Sequence, residues 1–188
     1  MQMNTISKKI ENQPTGQAGT KNEESAEKYF DEKNYSTLII GAEKNEGTEQ
    51  ETSDIVTLLI TGLRENKTEA LRILKEDKGQ LALLTAIDDV PHKTDRALLI
   101  AACWESGLDF SEHFDAFLDY AGDEDALVSL EAITVLESVE FFNSTTVLEN
   151  GIKALDKLIA AKHINAGLLE DLKLRFQDII SEMNTAKN

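Results

Sequence analysis

The chain has 188 residues, of which 35 are acidic and 19 basic, so its formal net charge is −16 and its pI is near 4.5. This charge argues against binding to nucleic acid or to an anionic membrane, because nonspecific affinity for phosphate comes from Lys and Arg. Hydrophobic residues make up 41% of the chain, which is enough to bury a core and argues against complete disorder.

The first part of the chain differs in composition from the rest. Residues 1–50 are mostly polar and predict a flexible, largely disordered N-terminal tail, whereas residues 51–188 predict one folded domain. Within the tail, residues 35–41 form an apolar cluster, and two alternatives stay open for it. The cluster is either a short strand or other segment docked on the domain, or a partly ordered linker.

Two features of the sequence bear on its location. No apolar stretch of signal-peptide length follows the basic pair Lys8 and Lys9, and the longest apolar run, residues 97–104, is too short to span a bilayer. The single cysteine, Cys103, cannot form an internal disulfide, and its place in that run predicts a buried small hydrophobe. We therefore expect a cytoplasmic protein without a transmembrane helix.

From Ser53 onward, apolar residues recur at helical spacing and predict eight helices. Capping residues, glycines and Pro91 set the expected bounds. These signals place the helices from residue 53, over 68–77, over 80–90, over 94–107, over 111–122, over 124–139, from 144, and over 165–183. The seventh helix is expected to be interrupted or bent near Asn150 and Gly151.

The fifth predicted helix separates its side chains into two opposite faces. One face carries the carboxylates of Glu112, Asp115 and Asp119. The other face carries four apolar side chains: Phe114, Phe117, Leu118 and Ala121. We expect the first face to be solvated and the second to be buried. The sixth helix is apolar over more than half of its circumference, so we expect it to be covered on more than one side.

These elements predict an all-α fold, because no segment of the folded part shows the alternating pattern of a strand. Short connections between the helices imply antiparallel neighbours, in a closed bundle or a stacked solenoid. A weak pattern, Ala-Leu followed three residues later by Leu or Ala, begins at residues 70, 97, 126 and 154. Its separations of 27, 29 and 28 residues favour repeating helical units.

The stretch RALLIAACWESGLDFSEHFDAFLDYAGDEDALVSLEAITVLESVE, residues 96–140, resembles HEAT or armadillo-type helical repeats. In it an apolar helix, a short Gly-containing turn and an amphipathic helix are followed by an acidic turn into the next unit. The loose resemblance extends over residues 53–183. It implies antiparallel helix pairs stacked as a short right-handed solenoid that binds proteins, and it implies no chemistry.

The negative charge is concentrated in one part of the chain. Residues 97–152 contain 12 acidic residues and no Lys or Arg, while the remainder has 23 acidic and 19 basic residues. Two interpretations stay open: a solvated surface, or a docking face for a basic partner. For Trp104, packing in the core or in a groove and an anchor at the rim of a binding surface are both open. The candidate partner-binding residues are Trp104, Asp109, Glu112, Asp115, Asp119, Asp123, Glu124 and Asp125.

No motif in the chain indicates catalysis or a cofactor. Residues 123–131 lack the spacing and the turn glycine of a calcium loop, and the three histidines, at 92, 113 and 163, do not form a paired ligand motif. Phosphate-binding glycine loops, nucleophile elbows and Cys-x-x-Cys pairs are absent from the sequence. We therefore expect no catalytic residue, no metal and no cofactor.

The sequence thus favours a non-enzymatic protein-interaction module, a scaffold or adaptor that binds a basic protein through an acidic face. We expect neither nucleic acid nor membrane as a partner. An alternative with the same charge distribution is a small acidic inhibitor or immunity-type protein that neutralises a basic enzyme by imitating nucleic-acid charge. A third hypothesis is an enzyme or ligand-binding protein with a site between helices.

Overall fold

A computed structural model describes residues 32–43, 49–140 and 142–186. The described residues are all-helical and contain no strand. One 3₁₀ turn, Ser111–His113, precedes α6. The helices are α1 Glu32–Glu43, α2 Glu49–Glu65, α3 Lys67–Glu76, α4 Gln80–Asp89, α5 Lys93–Glu105, α6 Phe114–Ala121, α7 Ala126–Ser138, α8 Thr145–Ala160 and α9 Ala166–Thr185. None of these helices combines the length and the apolar character that crossing a bilayer requires.

The eight helices predicted from Ser53 onward are confirmed as α2 to α9, with changes at their ends. Helix α2 begins at Glu49 instead of Ser53. The predicted fifth helix divides into the 3₁₀ turn and α6. The intrinsic helix propensity of the residues does not determine the first and last residue of a helix, because packing of the terminal turns also decides where the helix ends.

The expected interruption near Asn150 and Gly151 is wrong, because α8 runs through both residues. Gly151 is buried, and a Cβ atom there would lie 3.1 Å from Phe114 Cε1 and 3.3 Å from Phe176 Cε2. The glycine therefore lets α8 approach two aromatic rings closely and does not end the helix.

Helix α1 lies inside the stretch predicted to be a tail. It is a helix and not a strand, and Tyr35 and Ile39, one turn apart, are 0% and 1% exposed. The helix packs against α2, α3 and α4. Of the two alternatives for this segment, docking on the domain is therefore the one that the structure shows. Residues 1–31 and 44–48 of the predicted tail lie outside the described residues. Its last two residues, 49 and 50, belong to the first turn of α2.

Contacts between helices connect near neighbours in the chain. Alternate helices pack together, α2 with α4, α5 with α7, and α7 with α9, and consecutive helices pair as α6 with α7 and α8 with α9. One core of buried side chains extends from α1 to α9. The expectation that α7 is covered on more than one side is confirmed, since it packs against α5, α6 and α9.

The Ala-Leu pattern does not mark equivalent places in these helices. Ala70 and Ala97 are buried in the first half of α3 and α5. Ala126 is instead the exposed first residue of α7, and Ala154 lies in the second half of α8. The pattern therefore does not define a structural unit.

Helix α8 ends in a Schellman motif that is closed by a lysine. The N–H of His163 donates to the Leu158 carbonyl at 3.1 Å, and the N–H of Lys162 donates to the Ile159 carbonyl at 2.9 Å. Lys162 has a φ of 56°, in the left-handed region where a side chain costs energy and glycine does not. Glycine would therefore be energetically favoured over Lys162 at this end of α8.

Replacing Ile39 by Ala tests the docking of α1. Loss of this buried side chain should weaken the docking by about 2 kcal/mol or more, because it removes transfer energy and leaves a cavity. Hydrogen exchange of the α1 amides and the urea unfolding midpoint measure the effect. The matched control is Ile40→Ala on the same helix, where the side chain is 39% exposed and the change should stay within about 0.5 kcal/mol. Equal effects of the two variants would contradict a docked α1.

Lys162→Gly should raise the free energy of unfolding by about 0.5–1 kcal/mol, because relief of the left-handed backbone exceeds the entropy that glycine adds to the unfolded chain. Thermal unfolding monitored by circular dichroism measures the gain. The control is Lys157→Gly inside the last turns of α8, which should instead cost about 1 kcal/mol. A loss of stability in both variants would show that Lys162 does not strain the chain.

Candidate protein-interaction surface

Helix α6 and the 3₁₀ turn before it, which contains Glu112, present two faces, as the sequence predicts. Phe114, Phe117, Leu118 and Ala121 are buried, and Glu112, Asp115 and Asp119 are exposed. Aromatic contacts fix the inner face: the Phe114 and Phe176 rings lie 5.3 Å apart, and Phe117 meets Phe110 edge to face at 5.4 Å. The outer carboxylates therefore stand on a helix that cannot rotate without breaking the core. We call Glu112, Asp115 and Asp119 the α6 acidic face.

No cation in the part of the chain that the structure describes pairs with the α6 acidic face. Of the 12 acidic residues between Arg96 and Lys153, two form ion pairs within the described residues, Glu105 with Lys67 and Asp123 with Lys93. Both cations come from outside the acidic stretch. The carboxylates of the α6 acidic face are thus available for contact with the solvent or with a partner.

Asp123 has internal partners. Its carboxylate accepts hydrogen bonds from Lys93 Nζ at 2.8 Å and from the Asp125 N–H at 2.9 Å, and Arg96 lies 3.7 Å away. Burial alone would raise its pKa, but these hydrogen bonds and the charges of Lys93 and Arg96 outweigh burial and hold the pKa below the usual 3.8. The Asp123 carbonyl lies 2.8 Å from His163 Nε2. Asp123 therefore joins α5, the α6–α7 connection and the α8–α9 connection.

Asp125 caps α7. Its Oδ1 accepts the backbone N–H groups of Leu127 at 2.9 Å and Val128 at 3.1 Å, which have no carbonyl partner in the first turn of a helix. Between the two structural aspartates, Glu124 is exposed and has no ion-pair partner in the described ranges. Of these three candidate residues, two therefore serve the fold.

Asp109 lies in the turn between α5 and α6, and its Oδ1 accepts the N–H of Ser111 at 2.9 Å. The side chain is exposed and borders two clefts. The first cleft also contains Trp104 and Glu140, and the second contains Glu112 and His113. Asp109 thus links the α6 acidic face to the end of α5.

Trp104 is exposed on α5, while its neighbours Ile100 and Cys103 are buried. The indole is 39% exposed, so it is not a core residue, and its Nε1–H donates to Glu131 Oε2 on α7 at 2.9 Å. Beside it lies a cleft of about 300 Å³ between the C-terminal ends of α5 and α7. The exposure argues against core packing, and packing in a groove and an anchor at the rim of a binding surface both stay open.

The eight candidate residues do not form one patch. Trp104 and Asp109 lie at the end of α5, and residues 123–125 lie at the opposite end of α6, which is about 12 Å long at 1.5 Å per residue. The α6 acidic face runs between the two groups. Sequence reasoning missed Glu131, Val139 and Glu140, because they meet Trp104 only after α5 and α7 pack, and no spacing in the sequence encodes that pairing.

The chemistry available in the described ranges is limited. No group of three or more His, Cys, Asp or Glu side chains there is placed to hold a metal ion. Cys103 is fully buried, as its sequence context predicts, and burial raises the pKa of its thiol well above the usual 9.0. The candidate residues themselves are seven carboxylates and one indole, groups that can take part in noncovalent recognition.

Comparisons with protein-family models, with curated proteins and with solved structures gave no match for this chain.

The Asp123 junction predicts an acid-dependent loss of stability. Because the folded-state pKa is lowered, its contribution is complete above the unfolded value near 3.8 and disappears as the pH falls through the lower folded value. At pH 7, Asp123→Asn should cost about 1 kcal/mol or less, since Lys93 is 48% exposed and the ion pair is partly screened. Urea unfolding of both proteins at several pH values measures the difference.

The difference between the wild type and Asp123→Asn should shrink below pH 3.8, where the wild-type carboxyl is increasingly protonated. Glu124→Gln, at the exposed neighbour, is the matched control and should change stability little at any pH. A constant cost of Asp123→Asn from neutral to acid pH would show that its carboxylate charge does not stabilise the junction.

Proposed function

We propose that this protein is a non-enzymatic interaction module of the cytoplasm, a scaffold or adaptor that binds a basic protein partner through the α6 acidic face. The observation that carries the proposal is the outer side of α6. Three exposed carboxylates stand on α6 and on the 3₁₀ turn before it, which core aromatics hold in place, and no cation in the described part of the chain forms an ion pair with them.

Electrostatics supports a basic partner. Like charges held on one helix face repel one another, and a partner that brings Lys or Arg offsets this repulsion. The same field accelerates encounter with positively charged proteins and disfavours nucleic acid. Lys93 and Arg96 are both engaged with Asp123, and Lys78, which borders the same cleft as Glu112, forms no ion pair with it.

The packing pattern supports a stacked architecture for this module. Contacts between alternate helices, such as α5 with α7 and α7 with α9, are typical of solenoids, in which each unit touches its neighbours only. We propose that the antiparallel pairs stack in the right-handed manner of HEAT or armadillo repeats. Such stacks present extended helix surfaces for protein binding.

Charge reversal of the α6 acidic face tests the proposal. Affinity capture from the native host at low salt should yield a basic protein, and the triple variant Glu112→Lys, Asp115→Lys, Asp119→Lys should retain at least about tenfold less of it. Raising the salt concentration should weaken capture by the wild type in the same direction.

The matched control reverses Glu170, Asp171 and Asp178 on α9, which are also exposed. This variant has the same net charge as the α6 variant, so it should retain the partner if position matters and lose it if only overall charge matters. Partner retention by the α6 variant, or equal loss in both variants, would contradict an acidic binding face on α6. Capture of a single basic enzyme whose activity is blocked would favour the inhibitor alternative.

A further inference from the structure

The cleft beside Trp104 has both apolar and polar walls, and the apolar ones surround the indole. Phe110 and Val139 are buried at 2% and 5% exposure, Leu108 is half-buried, and Gly107 turns the chain below Trp104 with a φ of 66°. Its volume of about 300 Å³ is at the lower end of the range of clefts that bind small groups. The cleft therefore fits one inserted side chain and not a large ligand.

The aromatic side of this cleft is already fixed in position. The hydrogen bond from Trp104 Nε1 to Glu131 Oε2, at 2.9 Å, ties the indole of α5 to α7. An exposed tryptophan with a fixed orientation loses less conformational entropy when a partner covers it. Tryptophan is also among the residues that contribute most to binding at protein interfaces.

The surroundings of the cleft are negative for two independent reasons. Asp109 and Glu140 line it, and neither has a cationic partner in the described part of the chain. Helices α5 and α7 both end at the cleft, and neither has a basic residue in its last turn. The C-terminal end of a helix is the negative end of its dipole and is usually offset by Lys, Arg or His. At the end of α5 two lysines of α3 offset the dipole in part, because Lys67 pairs with Glu105 and Lys75 Nζ lies beside Gly107. The end of α7 has no basic residue in its last turn.

We infer that this cleft is an anchor site for a short basic segment of a partner protein. One apolar side chain of the segment enters between Trp104 and Val139, and flanking Lys or Arg side chains contact Asp109 and Glu140. The inference rests on the proposed function and specifies the partner, since Asp109 connects the cleft to the α6 acidic face. Charge complementarity determines this occupant, because an acidic or neutral apolar segment would leave the carboxylates of Asp109 and Glu140 and the C-terminal end of α7 without a cation.

Selection of peptides on the full chain tests the inference. The probe is a phage library of random peptides about 12 residues long, selected on the immobilised protein at low salt. We expect enrichment of sequences that place Leu, Ile, Phe or Met next to at least two Lys or Arg. A synthetic peptide of the enriched sequence, without tryptophan, is then titrated against the protein.

Trp104 reports on this titration directly, because it is the only tryptophan in the chain. Binding in the cleft should shift the indole fluorescence and the single indole N–H resonance in nitrogen-15 NMR spectra. Saturable peptide binding that leaves both signals unchanged would overturn the inference. So would the absence of any enriched sequence, or enrichment of peptides without basic residues.

Single substitutions distinguish the contribution of Trp104 to peptide affinity from that of the carboxylates. Trp104→Ala should weaken peptide binding about 30-fold or more, and Trp104→Phe, which keeps an aromatic ring but loses the bond to Glu131, about fivefold. Glu140→Lys should reduce affinity and its salt dependence together. Leu174→Ala removes an apolar side chain that is 58% exposed on α9 and should have no effect. Binding of these variants is measured by the polarisation of a fluorescein label on the peptide.

The outcomes distinguish the anchor site from the broader proposal. If the triple charge reversal on α6 abolishes capture of the native partner but Trp104→Ala does not weaken it, the acidic face stands and the anchor site is wrong. If Trp104→Ala weakens peptide binding and the charge reversal changes neither peptide nor partner, the cleft binds segments but the proposed function is wrong. Thermal unfolding of each variant shows whether a loss of binding comes from unfolding.

Discussion

Burial of α7 is the constraint on which the rest of the structure depends. Its apolar side chains surround most of the helix, so α5, α6 and α9 must all pack against it. A polar contact sets the register, since the buried Ser129 hydroxyl donates to the Ala121 carbonyl at the end of α6 at 2.7 Å. Once α5 and α6 are placed against α7, the carboxylates of α6 have only the solvent side left, and Trp104 must lie beside Glu131. The positions of the candidate interaction residues are thus consequences of covering one helix.

The acidic stretch, residues 97–152, is compatible with this packing because its partly buried carboxylates have internal partners and its other carboxylates are exposed to water. At the Gly122–Asp125 connection, where three helical segments meet, Lys93 and Arg96 offset Asp123, and Asp125 is used as a helix cap. On the α6 acidic face the carboxylates form no ion pair but are exposed along α6 and the 3₁₀ turn before it, where water screens their repulsion. Within the acidic stretch, Lys and Arg therefore pair with a carboxylate that is partly buried, Asp123. They do not pair with the exposed carboxylates of the α6 acidic face, whose charge water stabilises.

The sequence predicts the parts of this arrangement that depend on local periodicity. The two faces of α6 follow from residues three and four apart, and the ends near Pro91 and Gly107 follow from backbone chemistry. Helix α1 was not predicted as a helix, because two buried side chains, Tyr35 and Ile39, give too short a pattern to separate a helix from a strand. Gly151 was misjudged because its role depends on two rings from other helices. Contacts such as Trp104 with Glu131 join residues 27 positions apart and depend on how α5 and α7 pack.

In the proposed recognition, the α6 acidic face and Trp104 affect different steps of binding. Exposed carboxylates on α6 act at a distance and mainly raise the rate of encounter, and their effect falls as salt screens them. A desolvated contact with Trp104 acts only after docking and mainly lowers the rate of dissociation. Glu131 holds the indole through Oε2 and does not line the cleft, and the carboxylates that line it are those of Asp109 and Glu140. Under the proposed function, a partner has to match both the spacing of two charges and the position of one apolar side chain, and this double requirement would give an acidic surface a selectivity that net charge alone cannot supply.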